Sequence, residues 1–266
     1  MIKTVINGVN GKMGQIIAEM MNEYNDLEVV CGIDYSPKKV AHPFPVYLNP
    51  FEYRGDVDLI IDFSHPSYLN QLLDFARDKK AAIIIGTTGL SDEQEKFIKQ
   101  VSKDIPILYS ANMSLGITLI NHILKSYGNM LGSLFDIEII EMHHNMKLDA
   151  PSGTAYMLAN TLNESLNHGR TFVFGREGQR LRESNEMGIH AIRGGTIRGS
   201  HTILFAGNDE VIHIIHEAQS RKVYGHGALI AGLILVEKPP GLYTMDDLLG
   251  ISQMEVENDE SFPRGL

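Results

Sequence analysis

Tryptophan is absent, cysteine occurs once, and no apolar run is long. The longest, residues 227–236, is about half of the ~20 residues a bilayer-spanning helix needs, so no transmembrane segment is expected. The lone Cys31 has no partner for an internal disulfide, and its setting, Val29-Val30-Cys31-Gly32-Ile33, reads as a small core hydrophobe rather than a nucleophile. Positive charge is also scarce: 23 Lys and Arg face 33 Asp and Glu, a formal charge of -10. That field repels polyanions and anionic surfaces, so neither nucleic acid nor membrane is an expected partner. The opening residues run straight into a strand-and-turn pattern without the apolar core or cleavage site of a secretory signal, and a cytoplasmic location is expected. What is there, 43% hydrophobic and 21% charged residues over 266 positions, is globular composition and excludes a disordered or fibrous chain.

Up to residue 114, short β-branched runs alternate with amphipathic ones, the signature of a parallel sheet covered by helices. Strands are expected at 4–6, 29–33, 59–63, 82–85 and 107–109, and helices at 15–23, 68–78 and 92–102. The last helix opens with Ser91-Asp92-Glu93-Gln94, the spacing of a capping box. Beyond residue 115 the pattern becomes α+β: a long helix to 130, a strand at 135–142, a helix at 155–166, then strands. Gly207-Asn208-Asp209 joins 201–205 to 211–216 as a hairpin, and 229–236 reads as a buried helix returning the chain to the first domain. The expected fold class is α/β, a Rossmann-type doubly wound parallel sheet plus an α+β domain. An acidic tail after residue 250 has little to bury.

Gly8-Val9-Asn10-Gly11-Lys12-Met13-Gly14 follows the first strand and opens the first helix. Glycines there let the backbone turn sharply and approach a pyrophosphate, which sits on free amides at the positive end of the helix dipole. The spacing is G-x-x-G-x-x-G, with Asn10 where the common fingerprint has its second glycine. Asp34 ends the second strand 20 positions after Gly14, where a carboxylate accepts hydrogen bonds from the adenosine ribose and repels a 2'-phosphate. The plain alternative is a turn aspartate in Asp34-Tyr35-Ser36-Pro37. Lys38 and Lys39 follow closely enough to attract a phosphate, so NADH, NADPH or both remain open as cofactor. Gly86-Thr87-Thr88-Gly89 and Ser110-Ala111-Asn112-Met113-Ser114 lie at two further strand ends and suit contacts to the nicotinamide and its ribose. For Asp62-Phe63-Ser64-His65-Pro66, turn chemistry and function are equally good readings.

The densest chemistry lies in Glu141-Met142-His143-His144-Asn145-Met146-Lys147-Leu148-Asp149-Ala150-Pro151-Ser152-Gly153-Thr154-Ala155. Pro151 and Ser152 suit a helix start, so the amides of Gly153 and Thr154 should point outward as a seat for a carboxylate. Lys147 adds a full positive charge, and an imidazole can donate a proton near neutral pH. Adjacent His143 and His144 should point to opposite sides of a strand, leaving one free to be a core histidine. The spacing is neither H-x-x-x-H nor paired with Cys, which argues against zinc, and no metal is expected.

These segments, from Gly8 to Gly14 through Asp62-Phe63-Ser64, Gly86 to Gly89 and Ala111 to Ser114 to Glu141–Ala155, resemble the dihydrodipicolinate reductase (4-hydroxy-tetrahydrodipicolinate reductase) family of diaminopimelate and lysine synthesis. The resemblance runs through essentially the whole chain and implies a dinucleotide domain of residues 1–114 with 225–266. It also implies a substrate-binding and tetramer-forming domain, 115–224, in a homotetramer. It implies reduction of a cyclic dicarboxylate at C4 by NADH or NADPH, with loss of water. His143 matches the family's catalytic acid and Lys147 its second donor; His144, Lys147, Ser152, Gly153 and Thr154 match the groups holding two substrate carboxylates. Gly8, Val9, Asn10, Gly11, Lys12, Met13, Asp34, Gly86, Thr87, Thr88, Ser110, Ala111, Asn112 and Met113 match its cofactor contacts. Tyr35 is a departure, since members that bind NADPH well often carry Arg after the aspartate.

Two rivals are weaker. A non-catalytic dinucleotide sensor leaves the His143, His144 and Lys147 cluster unexplained. An aspartate-semialdehyde type of dehydrogenase needs a nucleophilic cysteine, and Cys31 lies far in sequence from the substrate motif.

Overall fold

The computed structural model describes residues 1–35 and 40–251. Lys38, Lys39 and the acidic tail from residue 252 lie outside the described residues. In chain order the elements begin β1 (Ile2–Asn7), α1 (Lys12–Met20), β2 (Leu27–Ile33), β3 (Val46–Tyr47), β4 (Leu59–Asp62), α2 (Leu69–Lys79), β5 (Ala82–Ile85), α3 (Asp92–Val101) and β6 (Pro106–Tyr109). There follow α4 (Leu115–Leu134), β7 (Asp136–His143), α5 (Gly153–Ser165), β8 (Thr171–Val173), β9 (Glu186–Arg193), β10 (Ser200–Ala206) and β11 (Val211–Glu217). The chain continues through α6 (Lys222–Leu235), β12 (Gly241–Tyr243) and α7 (Met245–Leu248). Two compact units result, one of Met1–Leu115 with Arg221–Leu249, the other containing Gly116–Ser220.

In the first unit seven parallel strands lie in the order β3-β2-β1-β4-β5-β6-β12. Helices cover both faces, so the central strands are near-continuous apolar runs rather than alternating ones. Ile61 and Ile84 pack in one core and Ile60, Ile83 and Ile85 in the other, because successive side chains leave opposite faces of the sheet. The capping box at Ser91 is formed: Gln94 N–H donates to Ser91 Oγ, and Ser91 N–H to Gln94 Oε1. Cys31 is buried among apolar neighbours, and burial pushes its thiol up to about 12.

α6 begins seven residues earlier than the apolar run at 229 indicates, at Lys222. Gly225 and Gly227 disguise that first half, since glycine is a poor helix former. Packing explains Gly227: a Cβ there would lie 1.6 Å from the Met113 carbonyl oxygen.

In the second unit five strands lie in the order β11-β10-β7-β9-β8, with β7, β8 and β9 parallel and β10 antiparallel to β7 and β11. The β10–β11 hairpin is the expected one. One face of this sheet carries Ile137, Ile139, Met187, Ile189, Ile203 and Phe205, covered by Ala155, Leu158, Ala159 and Leu162 of α5. Among the described residues no helix is long and apolar enough to cross a membrane.

Candidate active site

In the first unit, β1 is the switch point where the sheet order reverses, the place where open α/β sheets bind ligands. Register aligns the carboxyl ends of the strands: Asn7 pairs with Ile33 and Asp62, Asp62 with Ile85, and Ile85 with Tyr109. The segments after them, beginning at Gly8, Asp34, Gly86 and Ser110, therefore emerge side by side. Gly8 has φ +77°, and a Cβ on it would lie 2.6 Å from the Phe63 carbonyl oxygen; one on Gly14 would lie 2.2 Å from that of Gly8. Only glycine fits either position, and the close turn leaves a cradle at the α1 N-terminus. Gly11 is the N-cap of α1 and has no side chain to occupy it. Asp34 Oδ2 accepts the Asn10 N–H at 3.0 Å, so this carboxylate also ties the second strand end to the turn.

The other expected cofactor residues divide by exposure. Lys12, Thr88 and Ala111 are exposed, and Gly86 and Asn112 half-buried. Val9 and Met113 are core residues, and Met13 packs against the same core, so these offer backbone rather than side chain. Thr87 is buried, and its Oγ1 accepts the Ser64 N–H at 2.9 Å. Ser110 Oγ donates to the Asn112 carbonyl at 2.8 Å and shapes that loop.

At Asp62 the structure shows a buried polar knot. Asn7 Nδ2 donates to Asp62 Oδ1 at 2.7 Å and Ser64 Oγ donates to the same oxygen at 2.6 Å. Burial raises the Asp62 carboxyl, against the hydrogen bonds from Ser64, Thr87 and Asn7. These bonds fix the ends of β1, β4 and β5 relative to one another.

In the second unit the site forms where β7 runs out. Positions 137, 139, 141 and 143 share one face, so Glu141 continues the buried row of Ile137 and Ile139 and sits beside His143. Glu141 has no solvent exposure, and all four of its contacts are charge-assisted or short. His143 Nδ1 lies 2.6 Å from Oε2, Arg193 donates to Oε1 at 2.7 Å and Oε2 at 2.8 Å, and the Ser152 N–H donates to Oε1 at 3.0 Å. Burial alone would raise this carboxyl; Arg193, His143 and Ser152 outweigh it and hold Glu141 below the usual carboxylate range.

Ser152 is buried and is the N-cap of α5, accepting the Ala155 N–H at 3.2 Å; its Oγ also lies 2.9 Å from His201 Nε2. Burial, then the neighbouring His143, pushes His201 down to about 4, so it is neutral at pH 7. Gly153 opens the helix, exposed, with nothing within 4 Å of where a Cβ would stand. Its N–H has no intrahelical acceptor, as at any helix start. Thr154 is half-buried beside it. His144 begins the turn after β7, where its carbonyl accepts the Lys147 N–H at 3.2 Å. Lys147 Nζ lies 2.8 Å from Asp149 Oδ1.

The structure thus brings His143, His144, Lys147, Ser152, Gly153 and Thr154 into one turn and helix start. Glu141, Arg193 and His201 belong to the same cluster and were not singled out by sequence reasoning. Glu141 carried a readable signal, a carboxylate in phase with two buried isoleucines. Arg193 and His201 lie 52 and 60 positions further on and arrive only through strand register, which sets His143 opposite Arg193 and Glu141 opposite His201. Among the described residues no group of three His, Cys, Asp or Glu could hold a metal ion.

A cluster of imidazole, ammonium and free helix-start amide, in a chain whose other unit has a Rossmann-type sheet, fits an oxidoreductase of the NAD(P)-dependent class. Comparison with known proteins narrows the class. The family model described as dihydrodipicolinate reductase, N-terminus, matches residues 2–113, and that described as dihydrodipicolinate reductase, C-terminus, matches residues 116–249. The 4-hydroxy-tetrahydrodipicolinate reductase of Clostridium botulinum is 48% identical over 257 residues, 95% of this chain and 100% of that protein. That of Caldanaerobacter subterraneus is 48% identical over 250 residues, 94% of this chain and 98% of its own. Among solved structures, a dipicolinate-bound dihydrodipicolinate reductase from Paenisporosarcina sp. superposes with a TM-score of 0.74 at 25% identity, covering 92% of this chain and 97% of that one. The chain belongs to the dihydrodipicolinate reductase family.

Proposed function

We propose that this protein reduces 4-hydroxy-tetrahydrodipicolinate to tetrahydrodipicolinate, with loss of water, in diaminopimelate and lysine synthesis. The observation that carries the reading is the turn from His143 to Thr154, which sets an imidazole, an ammonium and the Gly153 N–H at a helix start. Such a seat suits a dianionic ring that needs a proton. A family relative that bears dipicolinate, a planar cyclic dicarboxylate, supports the same substrate class.

NADH or NADPH fits the first unit, where the Gly8 and Gly14 cradle admits a pyrophosphate and Asp34 stands where a ribose is held. When bound, the dinucleotide supplies the hydride. The Asp34 charge and the absence of Arg at Tyr35 favour NADH. The chain's own groups do the rest: Gly153 and Thr154 amides with His144 and Lys147 orient the carboxylates, and His143 or Lys147 gives the proton that the ring requires after hydride attack on its conjugated imine. Every step is assigned to organic groups, without a metal.

We further propose a cytoplasmic homotetramer formed through the second unit. Its edge strand β11 exposes Val211 and Ile215 on the sheet face away from the α5 core, an apolar pair that a second copy would cover. Sedimentation velocity tests this, and a monomer would refute it.

The deciding assay follows NADH, and separately NADPH, absorbance when the protein meets the freshly made condensation product of pyruvate and aspartate semialdehyde. Turnover with either establishes the reaction. A folded protein that binds NADH but turns over neither refutes it.

A further inference from the structure

We propose that Glu141, clamped by Arg193, is a positioning residue that keeps a hydrogen on His143 Nδ1 in both of its protonation states, so that the imidazolium gives its proton to the substrate from Nε2 alone and is left as the Nδ1–H imidazole. The proposal rests on His143 being a proton donor in the reaction given above. An ionised carboxylate only accepts hydrogen bonds, and the Arg193 fork keeps Glu141 ionised, so the 2.6 Å contact requires His143 Nδ1 to carry hydrogen.

The remaining surroundings agree. His201 meets the His143 ring edge-on, with centroids 5.3 Å apart, and is itself neutral at pH 7. The His143 carbonyl accepts the Gly194 N–H at 2.9 Å, which holds the main chain beneath the ring. Beside Nε2 the chain carries Gly199, whose Cβ, if present, would lie 3.1 Å from that nitrogen. Among the described residues, the charged and titratable groups around His143 are Glu141 on its own strand, Arg193 on β9 and His201 on β10, while Lys147 and His216 act electrostatically on His201 behind it.

Arg193 does a second thing. The nitrogen that bonds Glu141 Oε1 also donates to the Asp149 carbonyl at 2.7 Å, so the clamp holds the substrate turn as well as the acid. One guanidinium thereby links His143, through Glu141, to the loop that carries Lys147.

The test is a two-bond proton–nitrogen correlation spectrum of protein labelled with nitrogen-15 in histidine, recorded without substrate or cofactor. The His143 signals are assigned by their loss in His143→Gln. The pH is raised until the imidazole signals stop moving, and there wild type is expected to show His143 protonated on Nδ1 alone, and Glu141→Gln a mixture of both tautomers. In the same variant kcat should fall about 10²-fold, the scale of a misoriented acid, with the KM for NADH unchanged. Should Glu141→Gln not fold because Arg193 is left unpaired, the double variant Glu141→Gln/Arg193→Met removes the stranded charge and should show the same tautomer mixture.

A wild-type neutral His143 protonated on Nε2 and not on Nδ1 overturns the proposal, as does a Glu141→Gln protein that keeps the single Nδ1 tautomer and wild-type kcat. The spectrum needs no turnover. Wild type that shows the Nδ1 tautomer yet reduces no substrate refutes the reaction and leaves the lock standing.

Discussion

Lys147 and Asp149 form a 2.8 Å ion pair within the same turn, and the pair occupies the ammonium proposed to hold a substrate carboxylate. The hydrogen bond from Lys147 holds the Asp149 carboxyl below its usual range. Asp149 is 59% exposed, so the pair is worth only about 0.2–1 kcal/mol and a substrate dianion displaces it readily. Asp149→Asn should therefore lower the substrate KM about twofold and leave the melting temperature within about 2 °C of wild type. Steady-state kinetics and a thermal melt on the purified variant check both.

Gly153 separates packing from function. No atom stands near its absent Cβ, and alanine in a helix is favoured over glycine by roughly 0.5–1 kcal/mol, so Gly153→Ala should fold as well as wild type or better. A methyl group there intrudes on an anion approaching the N–H. The expected result is a tenfold or greater rise in substrate KM, about 1.4 kcal/mol, with unchanged NADH affinity, read by kinetics and by fluorescence titration of NADH.

Asp34 accepts the Asn10 N–H, and an asparagine amide oxygen can accept the same bond. Asp34→Asn removes charge while keeping the turn. The ratio of kcat/KM for NADPH to that for NADH should rise about tenfold, equivalent to about 1.4 kcal/mol. A ratio that does not move would place the 2'-phosphate away from residue 34.

Two pH windows follow from the second unit. His201 is held down at about 4 by burial, so the unfolded chain takes up its proton first as pH falls. The associated stability is complete above the ordinary value of 6.5 and is lost progressively down to about 4. His201→Asn should reduce the fall in melting temperature between those two pH values, leaving the part due to His216, which burial also pushes down.

At the other end of that sheet, Arg176 and Arg180 bond Glu186 and hold it at about 2, below its ordinary 4.5. Its contribution is complete above pH 4.5 and is lost as pH falls toward 2. Glu186→Gln should make that lower slope shallower, leaving the share of Glu138, Glu141 and Asp149, which are also held low, without touching the His201 window; a thermal melt at half-unit pH steps resolves the difference.

Local rules determined much of this protein from sequence alone. The runs at 59–61 and 83–85 could only be strands buried on both faces, Ser91 and Gln94 had to cap one helix, and Gly207-Asn208-Asp209 had to turn a hairpin. The resemblance reached further, to His143, Lys147 and the helix start at Ser152, because those groups lie within one short stretch of chain. Tertiary structure alone decided the rest. Short β8 and the glycine-bearing β9 acquire their meaning as strands from partners distant in the chain; Gly188 of β9 leaves the space that Glu138 fills, with its absent Cβ 1.8 Å from Oε2. Arg193 and His201 join Glu141 only because parallel and antiparallel registers set them against one strand end. Sequence spacing fixes neighbours along a helix or strand, whereas a buried charge finds its counter-charge across the sheet, where only the assembled fold satisfies both.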